Sequence, residues 1–222
     1  NQPGNFTANF LVVAPGLIVY ERLLDAFRGK LNNDGITRNP MTSDLYRMQD
    51  LFIPEEYRDE IFGFLNSSVL AKSDIGSSVT GEGMLAITNY HLLMQKEDKD
   101  VGGDSWSLPV RPGIAAGNSL DVLDGAMGND RALEYLRSLP DLMVINDEAH
   151  HIHSTQKSGE LGEVEWQKSL RYIASGKQPQ QYMQVDFSAT PYIERNKSLI
   201  YFPHIVVDFD LKSAIQRGLV KT

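Results

Sequence analysis

Two adjacent acidic side chains, Asp147 and Glu148, follow directly after an apolar segment over residues 142–146. A carboxylate at the end of a buried strand is held rigidly at the edge of a sheet, where it can hold Mg²⁺, usually through water. A second carboxylate beside it can orient and deprotonate a water molecule that attacks a phosphate, and such positioning supplies most of the catalysis in phosphoryl transfer. The pair therefore predicts metal-assisted phosphate chemistry. The alternative is a solvated turn in which Asp147 caps a helix.

Polar residues also stand at three other points where an apolar segment stops. They are Pro15-Gly16 after residues 9–14, Thr88-Asn89 at the end of residues 84–88, and Ser188-Ala189-Thr190 after residues 181–187. Short segments rich in Val, Ile and Leu that alternate with helical patterns predict an α/β fold with a mostly parallel sheet. Ligands of such sheets bind beyond the C-terminal ends of the strands. We therefore expect all four polar clusters to share one edge of the sheet.

Hydrophobic periodicity predicts the elements that must position these residues. Strands are predicted over residues 9–14, 45–51, 84–88, 142–146, 181–187 and 205–209. Helices are predicted over residues 18–27, with Gly29 as the stop, and over 54–65, 89–95, 119–138, 160–175 and 211–217. Residues 31–40 are predicted to form a loop, and residues 96–118 a loop insertion that is long for a compact domain. Trp166 lies on an amphipathic helix and is predicted to pack in the core.

The composition is that of a globular protein, with 222 residues of which 41% are hydrophobic and 23% charged. No apolar run approaches the roughly 20 residues of a membrane helix, and the N-terminus lacks the pattern of a signal peptide, so we expect no membrane partner. Cysteine is absent, which fits a cytoplasmic protein. The net charge of −8 predicts weak non-specific binding to nucleic acid by this chain alone, although a local groove can still be basic.

The polar clusters resemble the motifs of superfamily 2 helicases and translocases. The segment Asn146-Asp147-Glu148-Ala149-His150 resembles motif II in its DEAH form, and Ser188-Ala189-Thr190 after a strand resembles motif III. Residues 12–16 (Val-Val-Ala-Pro-Gly) and the helix after them resemble motif Ia, and residues 87–91 (Ile-Thr-Asn-Tyr-His) resemble the adjoining strand-end motif. These details, with the double histidine of the motif II segment, are most similar to the ATP-dependent Res subunit of type III restriction enzymes.

The resemblance implies a RecA-like three-layer sandwich with a mostly parallel sheet, and it implies a role for each motif residue. Asp147 would bind the Mg²⁺ of Mg-ATP through water, and Glu148 would activate the hydrolytic water. His150 would link the state of the nucleotide to motif III. Within motif III, Ser188-Ala189-Thr190 would carry that coupling, the two hydroxyl groups through hydrogen bonds.

A nucleic-acid groove and a set of partners also follow from the resemblance. Pro15, Gly16, Thr88 and Asn89 would line the groove, where backbone N–H groups and helix N-termini can contact phosphates without reading sequence. The implied activity is ATP hydrolysis coupled to movement on double-stranded DNA. The implied partners are DNA and a modification (methyltransferase) subunit.

The phosphate-binding loop of such motors has no match in the sequence. The pattern G-x-x-x-x-G-K-[ST] is absent, since Gly29-Lys30 is followed by Leu31 and Gly176-Lys177 by Gln178. In the family this loop, motif I, precedes motif Ia, and a second motor lobe follows the first. We therefore expect both to lie outside residues 1–222. The chain would then be a partial first lobe, and we expect it to be inactive alone.

Two other interpretations of the sequence stay open. His150, His151 and His153 stand close to the two carboxylates, and a His/carboxylate cluster could hold a transition metal in a hydrolase. Against this interpretation, the pattern H-E-x-x-H is absent, and adjacent histidines point in different directions on a strand or a helix. The missing phosphate-binding loop would also fit a non-catalytic α/β interaction module.

Overall fold

Short apolar strands pair in parallel to form the central sheet of the computed structural model, which describes residues 7–77, 83–89, 130–149, 161–195, 198–202 and 204–220. In chain order the strands are β1 (Asn9–Ala14), β2 (Lys30–Leu31), β3 (Arg38–Asn39), β4 (Val69–Leu70), β5 (Met84–Asn89), β6 (Leu142–Asn146), β7 (Tyr182–Asp186), β8 (Tyr192–Arg195) and β9 (Ser198–Tyr201). Five of them form one sheet in the order β4-β5-β1-β6-β7. Every pairing in this sheet is parallel, which confirms the predicted fold class.

The central strand, β1, is apolar along most of its length because helices cover both faces of the sheet. Leu11 and Val13 lie in one apolar cluster, while Val12 and Ala14 lie in the other. A strand buried on both faces needs apolar residues at successive positions, which is why β1 lacks the alternation of a half-exposed strand. The register aligns Val12 with Ile87 of β5, so the same pattern continues into the neighbouring strand.

Helices connect the strands and form the outer layers. They are α1 (Leu17–Arg28), α2 (Asp44–Arg47), α3 (Gln49–Phe52), α4 (Arg58–Ser68), α5 (residues 130–138), α6 (Leu161–Ser175) and α7 (Leu211–Gln216). The first of them ends at Gly29, whose φ is +81° and whose N–H donates to the carbonyl oxygen of Asp25. Glycine suits this position because other residues adopt a positive φ at a cost. The predicted stop at Gly29 is therefore confirmed.

Two apolar clusters, one on each face of the sheet, define three layers. On one face, α1 and α4 contribute Tyr20, Leu24 and Leu65. On the other face α5 and α6 pack, and their buried members are Leu133, Leu136, Trp166, Leu170 and Ile173. The predicted core position of Trp166 is confirmed. Helices on both faces of a parallel sheet give the RecA-like α/β arrangement that the resemblance implied.

The strand predicted over residues 45–51 is wrong, because this segment forms the two single-turn helices α2 and α3. Ser43 caps α2 through its hydroxyl oxygen, which accepts the N–H of Tyr46 at 3.2 Å. Asp44 adds a negative charge in the first turn of the same helix. A capping hydroxyl and an acidic residue at the N-terminus stabilise a helix, and most residues of the segment are good helix formers.

The strand predicted over residues 205–209 is also wrong. The segment pairs with no strand in the described part of the chain, and Val206 and Val207 are 94% and 82% exposed. A β-branched sequence forms a strand only where a neighbouring edge accepts its hydrogen bonds. The antiparallel hairpin β8–β9, which no pattern predicted, lies earlier in the chain.

The loop predicted over residues 31–40 overlaps the hairpin β2–β3, which begins at Lys30, and Arg38 holds this hairpin against α1. Its guanidinium nitrogens lie 2.6 Å from a carboxylate oxygen of Asp25 and 2.6 Å from one of Glu21. The same group donates to the carbonyl oxygen of Gly29 at 2.9 Å. Because the side chain of Arg38 is only 9% exposed, these charge-assisted bonds take the place of water around it.

Several predicted elements lie partly or wholly outside the described residues. The helix predicted over 89–95 is described only at Asn89, which is the last residue of β5, and the insertion over 96–118 is not described. Of the helix predicted over 119–138, the described residues 130–138 are helical. None of the described helices combines the length and the apolar character needed to cross a lipid bilayer.

Candidate functional site

Four strands end side by side at the C-terminal edge of the sheet. Val13 of β1 aligns with Thr88 of β5 on one side and with Asn146 of β6 on the other. Asn146 in turn aligns with Asp186 of β7. The N–H of Asp147 donates to the carbonyl oxygen of Val13 at 3.1 Å, so the ladder continues past the end of β6. The polar residues after these strands therefore share one edge, where parallel sheets bind ligands.

The two carboxylates follow β6 in a tight turn. The N–H of Glu148 donates to Oδ1 of Asp147 at 3.0 Å, which fixes the carboxylate of Asp147 against its own backbone. Glu148 has a φ of +50°, in the left-handed region. That conformation costs a residue with a Cβ roughly 1–2 kcal/mol, and such strain is found preferentially at functional sites. Both carboxylate side chains are half-buried, so they remain accessible from the edge.

The end of β7 is joined to this turn by three hydrogen bonds. The N–H of Phe187 donates to the carbonyl oxygen of Asn146 at 2.9 Å, and the N–H of Ala149 donates to the carbonyl oxygen of Phe187 at 2.9 Å. Between the side chains, Nδ2 of Asn146 donates to Oδ1 of Asp186 at 2.7 Å. The segment after β7 is therefore bonded directly to the segment that carries the carboxylates.

The segment Ser188-Ala189-Thr190 forms a compact turn after β7. The hydroxyl oxygen of Ser188 accepts the N–H of Thr190 at 3.1 Å, and its hydroxyl group also lies 3.1 Å from the carbonyl oxygen of Thr190, to which it donates. Local bonds of this kind give the backbone a defined shape outside helix and strand. The hydroxyl of Ser188 thus holds the shape of its own turn, beside the carboxylate segment.

The N-terminus of α1 opens onto the same edge. Gly16 is its cap residue, with an extended backbone and no side-chain cap on the helix. A Cβ atom at this position would meet no atom within 4 Å, so the space in front of the helix is open. The first N–H groups of a helix without a side-chain cap are available to a phosphate. Pro15, the preceding residue, is half-buried beside this opening.

Thr88 and Asn89, the other residues assigned to the groove, have fully buried side chains. The hydroxyl group of Thr88 donates to the carbonyl oxygen of Asn89 at 3.2 Å. The amide nitrogen and oxygen of the Asn89 side chain have no hydrogen-bond partner among the described residues. These two side chains therefore do not present a surface in this structure.

Asp147 and Glu148 provide hard oxygen donors, which suit Mg²⁺ because it takes few protein ligands and keeps several waters. Among the described residues, no three or more His, Cys, Asp or Glu side chains come together, so the pair is not part of a larger ligand cluster there. His150, His151 and His153, which the transition-metal interpretation requires, lie outside the described residues. The donors that are described fit Mg²⁺.

Neither Gly-Lys pair of the sequence lies where a phosphate-binding loop must lie, between a strand and the helix that follows it. Gly29 and Lys30 connect the end of α1 to β2. Gly176 and Lys177 follow α6, and Nζ of Lys177 donates to two backbone carbonyl oxygens at the end of α5, at 3.0 and 2.7 Å. Burial lowers the pKa of Lys177. Its ammonium group therefore caps a helix.

Two residues of the edge, Asn146 and Asp186, were missed by the sequence analysis. Each is a polar residue at the end of an otherwise strand-forming segment, and they align in the register of β6 and β7. Their polarity at the strand ends was visible in the sequence, but their contact was not. Near them, burial raises the pKa of Tyr182, and the charge of Asp186 raises it further.

A match to a known protein family includes every segment of this edge. No curated protein and no solved structure matches the sequence. A family model matches residues 2–193, a range that includes each edge segment from Pro15 to Thr190. Its family is described as type III restriction enzyme, res subunit, a helicase-like ATPase motor of superfamily 2. The chain therefore belongs to the family of type III restriction enzyme res subunits.

Proposed function

We propose that the chain is part of the first motor lobe of an ATP-dependent helicase or translocase that acts on double-stranded DNA. The observation that carries this proposal is the direct link between two segments at one sheet edge. The segment with Asp147 and Glu148 is hydrogen-bonded to the segment that leads into Ser188-Ala189-Thr190. A motor needs such a link, because hydrolysis at one segment must alter the contacts of another. Membership of the family supports the same conclusion.

In this proposal each carboxylate has its own role. Mg-ATP, when bound, supplies the phosphoryl group and the cation that neutralises its charge. Asp147 would hold the cation through water, and the carboxylate of Asp147 is oriented by the N–H of Glu148. Glu148 orients the attacking water and accepts its proton. The left-handed backbone of Glu148 turns the chain back toward β7, which lets Ala149 bond to Phe187.

Coupling in this proposal runs through the residues that follow the two strands. His150 senses the state of the nucleotide at the end of the carboxylate segment. Ser188-Ala189-Thr190 receives the change, because the backbone of Phe187 is bonded to both Asn146 and Ala149. The turn held by the Ser188 hydroxyl moves as one unit rather than deforming.

The nucleic-acid contact in this proposal is made by the open N-terminus of α1. Pro15 and Gly16 bring the chain to the edge, and backbone N–H groups of the first helical turn bind a phosphate without reading sequence. The buried side chains of Thr88 and Asn89 support the neighbouring strand end, whose backbone lines the groove. The net charge of −8 means that the lobe alone binds DNA weakly.

The proposal includes parts of the motor beyond the described edge. We assign motif I and a second lobe to segments outside residues 1–222, with residues 96–118 as an insertion in the first lobe, and we expect this lobe alone to be inactive. A methyltransferase subunit is the proposed partner, and the cytoplasm is the proposed location. The absence of cysteine is consistent with a reducing compartment.

The test is ATP hydrolysis by the full-length protein that contains this chain, measured with and without double-stranded DNA. We expect DNA to stimulate hydrolysis, and Glu148→Gln to lower the stimulated kcat about 100-fold or more, with a smaller change in KM. Glu56→Gln is the matched control, because Glu56 is an exposed acid in the short 3-10 turn before α4. Full activity in Glu148→Gln would contradict the proposed role of Glu148.

The transition-metal hydrolase interpretation makes a different prediction for the same protein. It requires zinc or manganese in stoichiometric amounts, held by the histidines after Ala149. Elemental analysis of the purified protein distinguishes a motor from such a hydrolase. If the protein is a motor, we expect only traces of zinc and manganese. Stoichiometric zinc, together with hydrolysis that does not respond to DNA, would favour the hydrolase.

A further inference from the structure

We propose that the hydrogen bond between the side chains of Asn146 and Asp186, here called the clasp, positions the carboxylate segment against the segment that follows β7. The clasp acts on hydrolysis through other residues, so Asn146 and Asp186 are positioning residues. The effect of the clasp on ATP hydrolysis rests on the proposed motor function. Its effect on the position of the carboxylate segment can be measured in a protein without any activity.

The clasp lies at the last aligned pair of β6 and β7. Nδ2 of Asn146 donates to Oδ1 of Asp186 at 2.7 Å, and Asn146 is completely buried. A bond from an amide to a carboxylate is charge-assisted, and the buried amide of Asn146 has no water to take the place of this bond, although Asp186 itself is exposed. The pair therefore fixes the distance between the ends of the two strands at the point where the ligand edge begins.

The backbone bonds that follow the clasp depend on this distance. Phe187, the residue after Asp186, donates its N–H to the carbonyl oxygen of Asn146 and accepts the N–H of Ala149. Between these two bonds the chain carries Asp147 and Glu148. If Asp186 moves away from Asn146, both bonds of Phe187 are strained together. The clasp thus sets where the carboxylates stand relative to β7.

A second polar side chain holds Asp186 from the outer side. Nε2 of Gln184 donates to Oδ1 of Asp186 at 3.0 Å and to Oδ2 at 3.2 Å. Gln184 is exposed, so water can replace these bonds when the side chain is removed. Gln184 therefore provides a control that touches the same carboxylate without touching Asn146.

The burial of Asn146 is not explained by packing. Its Oδ1 is buried and has no hydrogen-bond partner among the described residues. On the same face of β6, Leu142 and Val144 are ordinary apolar core residues. An unpaired buried acceptor destabilises a fold, so an apolar residue at position 146 would serve the core better. What an apolar residue cannot provide is the bond to Asp186.

The experiment compares Asn146→Val, Asp186→Asn and Gln184→Ala in the full-length protein. Hydrogen exchange is followed in peptides that contain the N–H groups of Phe187 and Ala149. For Asn146→Val we expect faster exchange at both groups, with a melting temperature equal to or above that of the wild type, since an unpaired acceptor is removed. Asp186→Asn keeps an oxygen that accepts from Asn146, and Gln184→Ala leaves the clasp intact. Both should exchange nearly as slowly as the wild type.

The kinetic arm measures the ratio of ATP hydrolysis with DNA to hydrolysis without it. For Asn146→Val we expect this ratio to fall about tenfold, a typical size for the loss of coupling between two sites. Asp186→Asn should retain most of the wild-type ratio, and Gln184→Ala should leave the ratio at the wild-type value. A residue that only stabilised the fold would lower the melting temperature and leave the ratio unchanged.

Each outcome decides one of the two proposals. Unchanged exchange at Phe187 and Ala149 in Asn146→Val overturns the clasp, whatever the activity of the protein. Faster exchange with an unchanged ratio overturns its role in coupling. A wild-type protein without DNA-stimulated hydrolysis overturns the proposed motor and, with it, the kinetic role of the clasp, while the exchange result still decides the structural one.

Discussion

The backbone N–H of Ala149 donates to the carbonyl oxygen of Phe187 at 2.9 Å, although the two residues belong to segments that follow different strands. This bond closes the turn that carries Asp147 and Glu148 onto the segment leading to Ser188. The turn can reach Phe187 because Glu148 adopts a φ of +50°. Backbone strain at one residue thus joins the two segments on which the proposed function rests.

Replacement of Glu148 by glycine should stabilise the protein relative to replacement by alanine. Both variants remove the carboxylate, but only glycine, which has no Cβ, adopts a positive φ without a steric clash. We expect Glu148→Gly to be more stable than Glu148→Ala by about 1–2 kcal/mol. Urea unfolding of both variants measures this difference. Equal stabilities would mean that residue 148 is not held in the left-handed conformation.

Substitution of Gly29 by alanine should be far more damaging than the same change at Gly35. A Cβ atom at Gly29 would lie 1.8 Å from the carbonyl oxygen of Asn39, a backbone atom that cannot move without displacing the hairpin β2–β3. At Gly35, which also has a positive φ, a Cβ would meet nothing within 4 Å. We expect costs of about 3–4 kcal/mol for Gly29→Ala and about 1 kcal/mol for Gly35→Ala. Similar melting temperatures for the two variants would contradict the packing of this hairpin.

Truncation of Leu136 should test the layer formed by α5. Its side chain is fully buried in the cluster that also contains Trp166 and Ile173. Leu136→Ala should therefore destabilise the protein by about 2–5 kcal/mol, through lost burial and the cavity left behind. Leu51→Ala is the control, because Leu51 is 78% exposed and its truncation should change stability by less than about 0.5 kcal/mol. Thermal unfolding followed by circular dichroism compares the two. An effect of Leu51→Ala as large as that of Leu136→Ala would argue against this core.

Alkaline pH should weaken the fold through Tyr182. Burial raises the pKa of its hydroxyl, with a further contribution from the charge of Asp186. In the unfolded chain a tyrosine ionises near pH 10, so above that pH the unfolded state loses a proton that the folded state keeps. Stability linked to this group is therefore complete below about pH 10 and is lost as the pH rises further, by at most about 1.4 kcal/mol per pH unit.

The free energy of unfolding of Tyr182→Phe should fall less steeply than that of the wild type as the pH rises above about 10. Tyr57→Phe serves as the control, because Tyr57 is half exposed and has no place in the core. The measurement is the urea midpoint at a series of pH values from neutral to strongly alkaline. An identical decline of the urea midpoint in Tyr182→Phe and the wild type would show that burial does not raise the pKa of Tyr182.

Much of the architecture could be predicted from the sequence because the patterns that indicate strands and helix ends involve only neighbouring residues. Continuous apolar segments such as Asn9–Ala14 and Leu142–Asn146 predict buried strands, and both form strands of the sheet. The last four residues of the first strand are buried in succession, whereas Met143 and Ile145 on one face of the second are half-buried. Once the sheet is parallel, strand ends must meet at one edge, so the placement of Asp147 and Glu148 followed from their position after a strand. The stop at Gly29 was likewise local, since a helix end that needs a positive φ selects glycine.

The errors in the prediction came from segments whose structure depends on a partner. Residues 205–209 have the composition of a strand, but in the described chain no neighbouring strand pairs with them. Residues 45–51 were also predicted as a strand, yet the hydroxyl of Ser43 caps a helix there. Propensity describes what a segment can do, and the available hydrogen-bond partners decide which option it takes.

The sequence by itself determined the α/β class, the parallel sheet and the edge at which the acids and the Ser-Ala-Thr segment stand, because each follows from apolar periodicity and from residues that end an element. Only the tertiary structure decided that Asn146 bonds to Asp186, that Ala149 bonds to Phe187, and that the Thr88 side chain is buried. The physical reason is that these contacts depend on the register between strands that lie far apart in the chain. A shift of one residue in that register would turn every side chain to the other face of the sheet.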